Sequence, residues 1–264
     1  MHSPVEQIVI LDWDDTLMPS SYLLANLNVW NNRETGEVTS VQMKPGSEVN
    51  EDEFCESLEE SGTAALNLLT SLCNHFMDTA SGRRLFIVTN GSEKWLQDSL
   101  IIAGAVCPIY QEIREFIVDH EIQIISARNT KMEYQYWKQM SYEWILNQFL
   151  GQRQFRKLHI ITIGDQLTDH CSIEMAPTFR LHRRSVVHHE IVCYPEAYAR
   201  YIAAELKYMS GLFFTDDSSK SPLFNFSMNH ENAVKLRFDG ESSKLWVSTH
   251  GGISSEGDGS IIGF

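Results

Sequence analysis

Short apolar runs of strand length recur along this chain, and each is rich in Ile and Val and bounded by polar or turn residues. Such runs are typical of strands that are buried on both faces, as in a parallel sheet covered by helices. They predict strands over residues 7–11, 85–88, 122–125, 158–163 and 185–193.

Amphipathic patterns fill the intervals between these runs. Apolar residues recur at helical spacing, with Gly62 as a candidate break in the first pattern and Ser92 as a suitable N-cap for the second. The third pattern contains one i, i+4 row made of Met132, Tyr136, Met140 and Trp144. The patterns predict helices over residues 51–79, 93–103, 131–150 and 195–212. Strands that alternate with helices predict an α/β fold in which helices flank a mainly parallel central sheet.

Two segments interrupt this alternation. Residues 19–50 are polar and weakly patterned, and they predict a small insert in a core that spans residues 1–214. Residues 215–264 are rich in Ser, Gly and Asn and predict a C-terminal extension. Within it, apolar and polar residues alternate on both sides of Asp239-Gly240, which predicts a β-hairpin accompanied by a flexible tail.

The composition is that of a folded protein, because 43% of the 264 residues are hydrophobic and 21% are charged. The formal net charge of −14 argues against nucleic acid or an acidic membrane surface as a partner, since both attract positive charge. The five cysteines form no CxxC pair, and the sequence shows neither a leader pattern nor an apolar run of about 18 residues. These features predict reduced thiols and a cytoplasmic or nuclear location, and they leave the oligomeric state open.

Polar residues that could do chemistry follow the predicted strands at their carboxyl ends. In a parallel sheet these ends meet along one edge, where the ligands of such folds bind. The sequence therefore predicts one crevice that gathers these residues. They are Asp12, Asp14 and Asp15 after the first strand, Thr89 and Asn90 after the second, Lys131 after the third, and Asp165 and Asp169 after the fourth.

Acids this close together repel one another and need compensation. A hard cation such as Mg²⁺ binds one or two carboxylates together with phosphate oxygens, and Asp12, Asp165 and Asp169 could supply such a site. A carboxylate can also attack phosphorus to form an aspartyl-phosphate. Asp14, two residues beyond Asp12, could then exchange protons with the leaving oxygen and with water.

Two further residues could contact a transferring phosphoryl group. Lys131 would offset the negative charge, with Arg128 as its rival, and Thr89 could donate a hydrogen bond. A purely structural interpretation competes with this one, in which the acids form a solvated strand-end turn. Asp165 and Asp169 would then be acids that stabilise a helix N-terminus.

The order of these residues resembles the four motifs of the haloacid dehalogenase superfamily. The matching features are DxDxT at residues 12–16, a strand that ends in Thr89, Lys131 before a helix, and GDxxxD at residues 164–169. The resemblance covers residues 5–212 as architecture. It implies a Rossmann-like core, a Mg²⁺ cofactor and phosphoryl transfer through an aspartyl-phosphate.

The resemblance also implies a role for each motif residue. Asp12 would be the nucleophile and a metal ligand. Asp14 would be the acid/base and would lend its backbone carbonyl to the metal. The remaining motif residues would bind the substrate phosphate (Thr89, Asn90 and Lys131) and hold or support the metal (Asp165 and Asp169).

The second aspartate indicates the type of reaction. A halide leaves without a proton, whereas an alkoxide needs an acid, so Asp14 favours phosphate-ester hydrolysis over dehalogenation. An acid at position 15 resembles superfamily members with little or no cap domain, and the predicted helix at 51–79 leaves room only for a small insert. An open cleft would suit a bulky substrate such as a phosphorylated protein, although a phosphorylated small molecule stays open.

Two other functions share parts of this pattern. A catalytically silent binding or scaffold protein could keep the fold and the metal, although no motif residue is lost. A response-regulator receiver also combines acids, Thr and Lys, but its lysine closes the series, whereas Lys131 precedes Asp165. The function expected from the sequence is therefore a Mg²⁺-dependent phosphomonoester hydrolase.

Overall fold

A computed structural model describes residues 6–76, 85–150, 158–182, 186–192, 199–213, 233–239, 244–250 and 261–262. The strands are β1 (Glu6–Leu11), β2 (Leu27–Asn31), β3 (Val38–Met43), β4 (Leu85–Thr89), β5 (Gln123–Ser126), β6 (Leu158–Gly164), β7 (Val186–Val192), β8 (Ala233–Asp239), β9 (Lys244–His250) and β10 (Ile261–Ile262). The helices are α1 (Ser20–Asn26), α2 (Glu51–Phe76), α3 (Glu93–Val106), α4 (Ile109–Asp119), α5 (Trp137–Leu150), α6 (Leu167–Met175), α7 (Pro177–Leu181) and α8 (Ala199–Phe213), and a 3-10 turn over Tyr134–Tyr136 precedes α5.

The central sheet has the strand order β10-β9-β8-β7-β6-β1-β4-β5. β1 lies between β4 and β6 and is parallel to both, and β5 and β7 continue the parallel pairing on either side. The predicted α/β fold with a parallel, Rossmann-like central sheet is therefore confirmed. Since β4, β1 and β6 are neighbours, their carboxyl ends meet at one edge of the sheet.

The apolar runs form strands because both faces of the sheet are covered. Along β1, Val9 and Leu11 pack into one core with residues of α2, α3 and α8. Ile8 and Ile10 point to the other face and pack into a second core with residues of α5 and β6. Burial on both faces removes the alternation of polar and apolar residues that a half-exposed strand shows.

Gly62 does not break its helix, because α2 continues through it. A Cβ atom at position 62 would overlap Cγ2 of Ile109 and lie 3.2 Å from the ring of Tyr110. Next to it, the hydroxyl oxygens of Ser61 and Tyr110 are 2.7 Å apart in a buried hydrogen bond. The candidate break is therefore a site of close packing between α2 and α4.

The helix expected from residue 131 begins later, at Trp137. The indole N–H of Trp137 donates to the carbonyl of Met132 (3.0 Å), which holds the preceding segment in a turn. The i, i+4 row faces outward, since Met132, Met140 and Trp144 are 37%, 53% and 47% exposed. The buried residues of α5 are Lys138, Ser141, Tyr142, Ile145, Leu146 and Phe149.

The insert at residues 19–50 has more structure than its sequence pattern indicates. It contains α1 and an antiparallel hairpin of β2 and β3, and β3 contacts α3. Val29, Val41 and Met43 of this hairpin pack against the core from one side. The insert therefore covers part of the domain surface without forming a separate core.

The hairpin expected near the C-terminus is present as the antiparallel pair β8 and β9. β8 also pairs in parallel with β7, so the hairpin extends the central sheet. The flexible tail expected around it falls largely outside the described residues. Among the described residues no helix is both long and apolar enough to cross a membrane. Cys55, Cys73 and Cys107 carry free thiols, Cys171 is exposed on α6, and Cys193 lies outside the described ranges.

Candidate active site

The carboxyl ends of β1 and β6 bring three carboxylates together, which we call the acidic cluster (Asp12, Asp165 and Asp169). Asp12 directly follows β1, and its backbone N–H donates to the carbonyl of Ile163 in β6 (2.8 Å). Asp165 directly follows β6, and Asp169 lies in the first turn of α6. One oxygen of each residue lies within 4.8 Å of the others, and all three residues are buried.

The cation beside the acidic cluster is Lys138 rather than Lys131. The ammonium group of Lys138 lies 2.7 Å from Oδ1 of Asp12 and also contacts Asp169. Only 2% of the Lys138 side chain is exposed, because this residue lies on the buried face of α5. Lys138 therefore neutralises part of the negative charge and orients the Asp12 carboxylate.

Neither Lys131 nor its rival Arg128 forms an ion pair with the acidic cluster in the described part of the chain. Each side chain is exposed, and Lys131 makes no side-chain ion pair within the part of the chain that the structure describes. The backbone N–H of Lys131 donates to Oδ1 of Asn129 (3.1 Å), which places it in the loop before α5. The lysine in contact with the cluster is therefore Lys138, and the role predicted for Lys131 has no contact among the described residues to support it.

Burial and mutual repulsion shift the proton affinities of the cluster. Burial raises the pKa of Asp12 well above its usual value, Lys138 partly opposes this, and Asp169 adds to it. Burial, followed by repulsion from Asp169, raises the pKa of Asp165 to about 6. Burial lowers the pKa of Lys138, but the charges of Asp12 and Asp169 outweigh it, so the net shift is upward and the lysine stays protonated.

The raised pKa of Asp165 predicts a pH-dependent loss of stability in the metal-free protein. An ordinary aspartate has a pKa of 3.8, and in the fold the pKa of Asp165 is about 6, so the folded state holds its proton more tightly. The resulting stabilisation is complete below the lower value and is lost as the pH rises through the higher one. As the pH rises through these two values, the free energy of unfolding of the native protein should fall by about 2–3 kcal/mol relative to that of Asp165→Asn. Urea unfolding of both proteins with a chelator, at several pH values, measures this change. A difference in free energy of unfolding that does not vary with pH would contradict the prediction.

Asp169 is held from two sides. Its Oδ2 accepts the backbone N–H of Gln166 (2.9 Å) in a capping box at the start of α6, while Oδ1 contacts Lys138. Asp169 therefore does stabilise the N-terminus of a helix, as the structural interpretation of the sequence expects, and it also belongs to the acidic cluster. Because both oxygens have partners, Asp169 is better placed to support a cation than to bind it directly.

Gly164 allows Asp169 to approach the end of β6. A Cβ atom at position 164 would overlap Oδ2 of Asp169 and lie 2.8 Å from its Cβ. Gly164→Ala should therefore displace Asp169 and lower the free energy of unfolding by about 1–3 kcal/mol. Denaturant unfolding measures this change. Gly104→Ala is the control, because a Cβ there meets the flexible side chain of Gln111 at 3.0 Å, and we expect a change below about 1 kcal/mol.

Asp14 lies next to Thr89 but is separate from the acidic cluster. Its Oδ1 accepts hydrogen bonds from the indole N–H of Trp95 (2.7 Å) and the hydroxyl of Ser20. Its Oδ2 accepts a hydrogen bond from the hydroxyl of Thr89 (3.1 Å), and that hydroxyl accepts one from the N–H of Gly91 (2.9 Å). The structure thus brings Asp14, the predicted acid/base, next to Thr89, which ends β4. The carboxylate of Asp14 is not one of the three that form the acidic cluster.

Asp15 turns the chain after β1. Its φ of 53° lies in the left-handed region that disfavours most side chains, and aspartate is among the residues that tolerate it. The Asp15 carboxylate accepts hydrogen bonds from the backbone N–H (2.8 Å) and the hydroxyl of Ser21. This residue therefore shapes the turn, while Asp12 and Asp14 on either side of buried Trp13 face the site.

Asn90 follows Thr89 and contacts the loop after β6 through a tyrosine. The side-chain N–H of Asn90 donates to the hydroxyl oxygen of Tyr134 (3.0 Å), and that hydroxyl donates to Oε1 of Gln166 (3.0 Å). Oδ1 of Asn90 is buried and has no hydrogen-bond partner among the described residues. An unpaired buried acceptor is costly, so it indicates a place for a ligand or water that donates a hydrogen bond.

The residues at the acidic cluster fit a hard divalent cation. Oδ1 of Asp165 is buried with no hydrogen-bond partner in the described part of the chain, and the hydroxyl of Thr16 is in the same condition. Carboxylate oxygen is the ligand type that Mg²⁺ prefers. A cation there would restore favourable contacts to Asp165 and would lower the repulsion between it and Asp12.

Three residues that shape the site, Trp95, Tyr134 and Lys138, are not among those predicted from the sequence. Trp95 and Tyr134 carry no signal in a single sequence, since an aromatic residue at such a position usually packs in a core. Lys138 does carry one: it falls on the same helical face as Tyr142, Ile145 and Phe149, all of them buried. A lone charge on an apolar face indicates a buried partner of opposite charge.

The sequence also predicts a partly exposed basic patch at residues 182–189, formed by His182-Arg183-Arg184 and His188-His189, and the structure corrects part of this prediction. His188 is buried in β7, with its Nε2 2.8 Å from the hydroxyl oxygen of Thr162 and its ring against Phe179. His182 is exposed after α7, while Arg183 and Arg184 lie outside the described residues. His188 is therefore part of the sheet and does not contribute to an exposed patch.

Fold and site together define an α/β protein with a Rossmann-like parallel sheet and an acidic cluster at the carboxyl ends of its central strands. Comparison with protein-family models, with curated proteins and with solved structures finds no match for this chain.

Proposed function

We propose that this protein is a Mg²⁺-dependent phosphomonoester hydrolase that works through an aspartyl-phosphate. The observation that carries the proposal is the arrangement around Asp12: a buried carboxylate at the end of the central strand, oriented by Lys138 at 2.7 Å and adjacent to the unpaired oxygen of Asp165. The motif order that resembles the haloacid dehalogenase superfamily supports the same chemistry. Mg²⁺ would be held by Asp12 and Asp165, supported by Asp169, and when bound it would supply positive charge for the phosphate oxygens.

In the first proposed step, an oxygen of Asp12 attacks the phosphorus and the bond from phosphorus to the ester oxygen breaks. Lys138 holds the attacking carboxylate in place, so that little motion is needed before reaction. The leaving oxygen takes a proton from Asp14, which lies beside Thr89. The products of this step are the free alcohol and an aspartyl-phosphate on Asp12.

In the second step, Asp14 takes a proton from water and the resulting hydroxide attacks the same phosphorus. The bond between phosphorus and Asp12 breaks, inorganic phosphate leaves, and both aspartates return to their starting forms. The amide of Asn90 lies at the end of β4, next to β1, and the N–H that it does not donate to Tyr134 can donate a hydrogen bond to a phosphate oxygen. The hydroxyl of Thr89 donates to Asp14 and so holds the proposed acid/base at this end of the sheet.

The test is hydrolysis of a chromogenic phosphomonoester by the purified protein, with Mg²⁺ and then with excess chelator. We expect turnover that saturates with Mg²⁺, stops with the chelator and returns when Mg²⁺ is restored. Metal binding measured by calorimetry, with no hydrolysis across a panel of phosphomonoesters, would overturn the proposal. It would favour the alternative of a catalytically silent binding protein.

A further inference from the structure

A hydrogen-bonded bridge crosses the mouth of the site. The hydroxyl of Tyr134 joins Asn90 and Gln166 through two hydrogen bonds of 3.0 Å each. Asn90 follows β4 and Gln166 lies just beyond β6, and these two strands flank β1 in the sheet. The bridge therefore links the loops on either side of the strand that ends at Asp12.

Tyr134 is attached to the protein in a way that permits it to move. It lies in the 3-10 turn before α5, with its ring centroid 5.2 Å from that of Trp137. The side chain is 48% exposed, so one part of the ring packs while the rest faces solvent. Rotation of this side chain breaks two hydrogen bonds between neutral groups and leaves the buried core unchanged.

The bridge affects substrates according to their bulk. A phosphate ester of a small alcohol carries little beyond the ester oxygen to hold Asn90 and Gln166 apart, so the bridge can form again once the ester is bound. A phosphate attached to a peptide keeps the rest of the chain in the mouth of the site, so the bridge must stay open through the transition state. The lost hydrogen bonds then lower kcat/KM for the bulky substrate but not for the small one.

We propose that Tyr134 is a specificity-determining residue that disfavours bulky phosphomonoesters by bridging Asn90 and Gln166 across the entrance to Asp12. The proposal rests on the function proposed above and refines the expectation of an open cleft. No large cap covers the site in the described part of the chain, and access is controlled by the turn that carries Tyr134.

The first test compares two substrates with the same leaving group, free phosphotyrosine and a phosphotyrosine heptapeptide. Tyr134→Phe keeps the ring and removes both hydrogen bonds. We expect the ratio of kcat/KM for the peptide to that for the free amino acid to rise about 5- to 30-fold. Tyr136→Phe is the matched control, because this hydroxyl in the same turn has no hydrogen bond among the described residues, and its ratio should equal that of the native protein. An unchanged ratio in Tyr134→Phe would overturn the proposal.

The second test needs no turnover. A water-soluble carbodiimide and an amine are added to the metal-free protein at pH 6, and labelling of Asp165 is followed by mass spectrometry with exposed Glu34 as the internal reference. Labelling of Asp165 should be several-fold faster in Tyr134→Phe, and an equal rate would overturn the bridge. Faster labelling in a protein that hydrolyses no phosphomonoester would support the bridge and overturn the proposed hydrolase, so the two failures are distinguishable.

Discussion

Asp12→Asn should lower the rate of phosphomonoester hydrolysis at least about a thousandfold. The amide has almost the same shape as the carboxylate, but it carries no charge and cannot form the aspartyl-phosphate. The measurement is kcat at saturating Mg²⁺ with a chromogenic substrate. Equal activity in the variant and the native protein would contradict both the nucleophile and the proposed mechanism.

Loss of fold must be separated from loss of the nucleophile in this experiment. In Asp12→Asn the introduced amide oxygen would still accept a hydrogen bond from Lys138, and the variant has one negative charge fewer in the acidic cluster. We therefore expect the free energy of unfolding of the metal-free variant to equal or exceed that of the native protein. Asp15→Asn is the matched control, since the Asp15 carboxylate hydrogen-bonds Ser21 in the turn and is not one of the three acids of the cluster. Asparagine also tolerates its positive φ, and kcat should stay within about threefold.

Lys138→Met should lower the free energy of unfolding by about 3–5 kcal/mol at neutral pH in the metal-free protein. The lysine is 2% exposed and lies between Asp12 and Asp169, so its removal leaves buried carboxylates without their cation. The loss should be smaller at low pH, because burial raises the pKa of Asp12 and its protonated form needs no cation, and smaller with Mg²⁺. Urea unfolding at pH 5 and pH 7, with and without Mg²⁺, measures all three effects.

Because such a loss is a large part of the stability of a typical domain, a second variant is needed. Lys138→Met combined with Asp169→Asn removes one charge of each sign and keeps an acceptor for the N–H of Gln166, so stability should partly return. Lys131→Met is the control for a lysine outside the site, and it should change the free energy of unfolding by less than about 0.5 kcal/mol. Equal effects of Lys131→Met and Lys138→Met would contradict the assignment of Lys138 to the cluster.

The parallel sheet could be predicted from the sequence because its strands are buried on both faces. Continuous apolar runs of that length have few other stable environments, so the strand positions are confirmed to within a residue or two. The same rule located Asp12 and Asp165, since any residue that directly follows a parallel strand lies at the ligand-binding edge. Their proximity follows from topology and needs no knowledge of side-chain packing.

The position of α5, and with it the identity of the lysine, could not be predicted in the same way. Residues 131–136 have the pattern of a helix because Met132 and Tyr136 begin an i, i+4 row, but the helix begins at Trp137 and turns that row toward solvent. An apolar row at this spacing does not always mark the buried face of a helix, and here Met140 and Trp144 are exposed. The charged residue on the other face, Lys138, is the better guide to what is buried.

The bridge through Tyr134 depends on contacts between three segments that are distant in sequence. Asn90, Tyr134 and Gln166 each look like an ordinary loop residue, and nothing in a single chain links them. Contacts of this kind are set by the final arrangement of the loops on the sheet. They therefore become visible only when the fold is known.

The pairing of β8 with β7 has a consequence for how the chain is made. β7 is complete when residue 192 leaves the ribosome, but the strand that covers its outer edge comes only at residues 233–239. During that interval the backbone N–H and C=O groups at the end of β7 that β8 later covers, residues 190–192, are open to pairing with another chain. The segment that contains β8 therefore protects the sheet late in synthesis against self-association, and a shortened chain that ended after α8 would expose this edge permanently.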